Sequence, residues 1–125
     1  MPSFRDLRAW QLAKDLAVES TKAARRFPGG ERNPLAEQLP RACYSVPLNI
    51  AEGSGRKGAR EFRRFLDIAR GSLAEVQTAL QLARELGYIG PEEHAGLDRL
   101  ACEAGRTLWG LLRKISDHAR RRSSP

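Results

Sequence analysis

REFRRFLDIARGSLAEVQTALQLAREL, residues 60–86, is the stretch that decides the fold. Taken in steps of four and three, it places Phe62, Leu66, Ala69, Leu73, Val76, Leu80 and Ala83 on one line, an unbroken apolar seam more than three heptads long. No proline interrupts it, and its single interior glycine is Gly71. A helix over 60–86 would be about 40 Å long at the α-helical rise per residue. A rod of that length with one oily edge does not stand alone in water. The rest of the chain has to supply its neighbours.

Upstream, Asn33 as N-cap and Pro34 in the first helical position open a helix over 34–52, with the seam Leu35, Leu39, Ala42, Val46, Ile50. Pro40 and Pro47 fall inside it, each removing a backbone donor and crowding the carbonyl four residues back. The expectation is one bent helix rather than two. Downstream, Gly87-Tyr88-Ile89-Gly90 turns the chain and Pro91-Glu92-Glu93 opens a helix over 91–118. Its seam is Leu97, Ala101, Ala104, Leu108, Leu111, Ile115. The first helix spans 4–26, with Ser3 as N-cap and Asp6 three residues on as in a capping box. It presents Phe4, Leu7, Trp10, Ala13, Leu16, Ala17 and Ala24 inward and stops at Phe27-Pro28-Gly29-Gly30. The expected fold is all-α: an up-down-up-down antiparallel four-helix bundle with a bent second helix. A single domain would fill 1–119, and 120–125 would be a basic, frayed tail.

Composition agrees. With 125 residues, 41% hydrophobic and 30% charged, the chain can bury one real core. Only 6% is aromatic, and alanine, leucine, arginine and glutamate outweigh the β-formers, so helix is favoured over sheet. Cys43 and Cys102 are far apart, match no metal spacing and are expected to be free buried thiols. The start of the chain is charged and lacks the apolar core of a signal peptide, and no apolar run approaches the ~18 residues of a membrane span. A cytoplasmic protein is expected.

The net charge of +7 is unevenly spread. Over 53–64 five basic residues (Arg56, Lys57, Arg60, Arg63, Arg64) meet one acid, Glu61. Over 113–122 five more (Arg113, Lys114, Arg120, Arg121, Arg122) meet only Asp117. An antiparallel pairing of the third and fourth helices brings both segments to one end of the bundle. Cations at a helix C-terminus complement its dipole, but those in the first turns of the third helix do not. The fold therefore does not ask for Arg60, Arg63 and Arg64. Either a polyanion such as RNA or DNA uses this end, or it is a solvated face that keeps the protein soluble. The nearby Gly53-Ser54-Gly55-Arg56-Lys57-Gly58 spells G-x-G-x-x-G, but a helix rather than a strand precedes it, so a dinucleotide fold is rejected. Glycines feeding a helix N-terminus can still hold one phosphate through backbone N–H groups.

Ile68 and Leu82 on the third helix, and Leu100, Trp109 and Leu112 on the fourth, lie beside the seams. Broad inner faces would absorb them, or they form a second stripe through which copies of the chain associate. Little points to catalysis. His94 and His118 sit near opposite ends of the fourth helix, and no Glu-x-x-His pattern of a di-iron bundle is present. Asn49 and Glu52 suit hydrogen bonding at the helix end and the Gly53 turn. No enzyme activity, cofactor or metal is expected.

The segment from Gln38 to Gly53, with Gln38-Leu39, Arg41-Ala42, Ser45, Pro47, Asn49-Ile50-Ala51-Glu52-Gly53 as its pattern, resembles the signature of the four-helix-bundle proteins called 23S rRNA intervening-sequence proteins. Trp10-Gln11, Phe27-Pro28, Phe62, Phe65-Leu66, Ala69-Arg70-Gly71-Ser72-Leu73 with Glu75, and Leu86-Gly87-Tyr88-Ile89 agree as well. Pro40 departs from the pattern, where an arginine is usual. The resemblance implies a structural role for Ser45, Pro47, Asn49, Glu52 and Gly53, and assembly into a ring-shaped homopentamer. It also implies kinship with the accessory protein of diversity-generating retroelements, a basic barrel that binds nucleic acid and a reverse transcriptase. The expected function is a non-enzymatic, oligomeric bundle binding RNA or DNA phosphates through Arg56, Lys57, Arg60, Arg63, Arg64, Arg113, Lys114, Arg120 and Arg121. The alternative is a protein-interaction scaffold with no nucleic-acid role.

Overall fold

A computed structural model describes residues 3–123. Four helices carry the chain: α1 (Arg8–Ala24), α2 (Pro34–Ser54), α3 (Ala59–Glu85) and α4 (Pro91–Ser123), with no strand among the described residues. The seam of α3 is as expected. Leu66, Ala69, Leu73, Val76, Leu80 and Ala83 are all buried, and Phe62 packs against them. Around it lie many buried alanines, among them Ala13, Ala17, Ala42, Ala101 and Ala104, which let helix axes approach closely while Leu16, Leu39, Ile50 and Leu108 fill the space between.

Contacts on neighbouring helices run in opposite residue order. Ser45 of α2 meets Ser72 of α3 (2.7 Å), while Gly53, further along α2, lies against Phe62 and Phe65, earlier on α3. Leu73 of α3 touches α4 at Gly105, and Arg70 lies over Trp109. Arg26, just after α1, pairs with Glu93 in the first turn of α4. The start of α3 and the last turns of α4 therefore share one end of the molecule. The other end is closed by buried Phe27 and Ile89, with Tyr88 against the Phe27 ring at 5.2 Å.

Some boundaries move. The first helix does not start at Phe4. Ser3 accepts the Arg5 N–H, Phe4–Asp6 form a 3-10 turn, and extended Leu7 (ψ 123°) precedes α1, so the capping box with Asp6 is not made. The break lets the Phe4 ring sit edge-on to Trp10 at 5.1 Å, and Gln11 Nε2 donates to the Arg5 carbonyl. α2 starts as expected: Asn33 accepts from the Leu35 N–H (2.9 Å) and its own amide donates to the Pro28 carbonyl (2.8 Å). It continues as one helix through Pro40 and Pro47. α4 runs to Ser123, past the sequence-based end at 118, and residues 124 and 125 of the expected tail lie outside the described residues.

The apolar surplus needs correcting. Leu112 is only 4% exposed and so cannot present itself to a second copy, while Leu100 is half-buried against the core. α4 touches both α1 and α3, and a helix in a corner buries a wider stripe than one seam. Ile68, Leu82 and Trp109 do stay exposed. So do two residues the helical seams passed over: Tyr44 and Leu48, one turn apart on the outside of α2, Leu48 being 66% exposed. Of the cysteines, Cys43 is buried as expected, whereas Cys102 is only half-buried.

Candidate nucleic-acid interface

α2 ends at Ser54, and the chain turns back through Gly58, whose φ of 88° is the left-handed region that glycine enters without strain. The turn can be this short because Gly53 has no side chain. A Cβ there would lie 2.7 Å from the Phe65 Cβ and 3.3 Å from the Phe62 carbonyl. Nearby, Asn49 donates back along its own helix to Ser45, to its carbonyl (2.7 Å) and hydroxyl (3.0 Å), rather than to the Gly53 turn. The Ser45 hydroxyl completes the link to Ser72 across the interface. The Glu52 carboxylate pairs with Arg56.

α3 begins with no side chain capping it. Its first amides and the positive end of its dipole open into a groove lined by Gly58, Ala59, Arg60, Arg63, Ser116, Ala119 and Arg120. A second groove, sharing Arg63, Ser116 and Arg120, continues between α3 and α4 past Asp67, Arg70, Trp109, Leu112, Arg113 and Asp117. Two basic segments distant in sequence thus face one surface.

Local pairing sorts the cations. Arg64 pairs with Glu61 (3.1 Å) and lies over the Phe65 ring at 4.8 Å, and Arg56 lies over the same ring at 5.3 Å. Arg63 stands 4.0 Å from Asp67, and Arg120 pairs with Asp117. Lys57, Arg60, Arg113 and Lys114 are exposed and have no carboxylate partner among the described residues. Exposed one-turn ion pairs are worth at most about 1 kcal/mol, so a phosphate can take over those guanidiniums at little cost. Of the nine expected contacts, the grooves gather Arg60, Arg63, Arg113 and Arg120. Arg56 and Lys57 occupy the adjoining turn, while Arg64, Lys114 and Arg121 are exposed but line neither groove.

Two features escaped the sequence. Arg70 lines the groove; Arg63, Asp67 and Arg70 recur every four and three residues on α3, a polar stripe at helical spacing that would have marked it. Arg5 and Arg8 belong to the same end, because the far end of α1 is tied to the start of α4. Among the described residues no three His, Cys, Asp or Glu side chains are grouped to hold a metal.

The model of the 23S rRNA-intervening sequence protein family matches residues 5–110. Among solved structures the chain is similar to a protein of unknown function from the S23 ribosomal protein family of Bacteroides thetaiotaomicron. The TM-score is 0.77 at 19% identity, over 83% of this chain and 97% of that one, a likeness of fold alone. No curated protein matches.

Proposed function

This chain belongs to the 23S rRNA-intervening sequence protein family, and from that premise we propose a non-enzymatic, oligomeric helical bundle of the cytoplasm that binds RNA or DNA through phosphate contacts at its basic end. One observation carries the proposal. The N-terminus of α3 and the last turns of α4 line a common groove, and its three charged residues, Arg60, Arg63 and Arg120, are all arginines. Such a surface reads charge rather than base edges. Copies are proposed to join through the exposed Tyr44–Leu48 face of α2 into a closed ring, a pentamer by family resemblance, that would repeat the basic end around its axis.

The test is the affinity for a labelled RNA hairpin as a function of salt. It should fall steeply, and linearly on logarithmic axes. Arg60→Glu with Arg63→Glu should lower affinity by at least about tenfold with unchanged helicity, since both side chains are exposed. Absence of binding at low salt, or binding indifferent to salt, refutes the proposal.

Ile68 and Leu82, which stay exposed on α3, favour a second reading, a ring that docks another polypeptide, such as the reverse transcriptase implied by the resemblance. A pull-down that survives nuclease treatment separates the two.

A further inference from the structure

We propose that the groove between α3 and α4 is a subsite for an unpaired nucleotide, its base stacked on Trp109 and its phosphates held by Arg63, Arg113 and Arg120. The proposal rests on the nucleic-acid reading above and narrows it to single strands.

Trp109 is 50% exposed, and the Arg70 guanidinium lies over its ring at 5.0 Å. An indole left half in water is unusual unless something planar or apolar covers it. Its surroundings indicate what. The same groove is lined by four arginines (63, 70, 113 and 120) against two aspartates (67 and 117). A second protein copy seated there would have to strip water from that cluster to cover one ring, at a high desolvation cost. A nucleotide offers both partners at once: a π-face for the indole or for the Arg70 plane, and phosphates for the guanidiniums. Arg63 and Arg70 stand seven residues apart along α3, about 10 Å by helical rise, a reach on the scale of one nucleotide with its flanking phosphates. Arg63 stands beside Asp67 and Arg120 pairs with Asp117, exposed ion pairs that a phosphate can replace at little cost. Arg63 and Arg120 also line the groove at the start of α3, so a backbone bound at the basic end can continue past Trp109 without a break. In a duplex the base faces are already stacked, so this ring rewards only an unpaired base.

The test uses full-length protein with Trp10→Phe, which leaves Trp109 as the sole tryptophan of the two. A short oligouridylate should quench its fluorescence, and a blunt RNA duplex of equal charge should not. Trp109→Leu should lower the ratio of single-strand to duplex affinity by about tenfold, and Trp109→Phe should retain most of it. If Trp109→Leu leaves that ratio unchanged while Arg60→Glu with Arg63→Glu still lowers affinity by at least about tenfold, the subsite is wrong and the phosphate reading stands. If no oligonucleotide binds at low salt, both fall. If Trp109→Leu shifts the size of the assembly on a sizing column, the ring belongs to a contact between copies and the subsite is overturned.

Discussion

Gly53 shows why one atom matters at the basic end. Its missing side chain is what lets α2 and α3 meet at Phe62 and Phe65. Gly53→Ala would usually favour a helix, but here the methyl group meets backbone and ring atoms that cannot all retreat. A loss of about 1–3 kcal/mol in urea unfolding is expected. Cys43 gives a second prediction at this scale. Burial pushes its thiol from 9.0 up to about 11, and the Ser20 hydroxyl beside it offsets that only in part. Alkylation of Cys43 at pH 8 should be at least about 100-fold slower than that of free cysteine, until denaturant is added. The neutral thiol is the form the fold accepts. Its contribution is therefore complete below pH 9 and is lost as pH climbs towards about 11. The melting temperature of the native protein should fall faster over that window than that of Cys43→Ala.

At the scale of elements, α3 was legible because its seam is continuous, and α2 because Asn33 and Pro34 mark its start. Asn33 holds two bonds, one to the helix it opens and one to the turn before it. Asn33→Ala should cost about 1–2 kcal/mol in thermal or urea unfolding, whereas Asn33→Asp, which keeps the cap acceptor but loses the donor to Pro28, should cost less. What the sequence could not reveal depended on tertiary neighbours. Ser3 and Asp6 spell a capping box, yet Leu7 goes extended so that Phe4 can reach Trp10. Leu112 looked surplus because the α4 stripe was drawn for one neighbour, while α4 has two. Tyr44 and Leu48 lie one turn apart between the seam positions Ala42, Val46 and Ile50, and only the packing reveals that the other described residues leave them exposed.

For the whole molecule, the gathering of charge was readable because it follows from the topology: with neighbouring helices reversed, residues near 60 and near 120 must meet. The partition of that charge was not. Arg64 and Arg56 lean on Phe65, whereas Arg70, which no basic run contained, frames the groove beside Trp109. The association of copies is tested at this scale too. Leu48→Glu should convert the assembly to monomers in light scattering while leaving the circular dichroism spectrum unchanged, since Leu48 touches little of its own chain. If the species formed is the same size as the parent, the face of α2 is not the contact.

The near-collision at Gly53 has one more effect. With two phenylalanines wedged against the end of α2, the segment carrying Arg56 and Lys57 cannot swing as a floppy arm. The backbone that carries these cations is positioned before any ligand arrives, so less chain freedom is surrendered on contact, and more of the attraction survives as affinity.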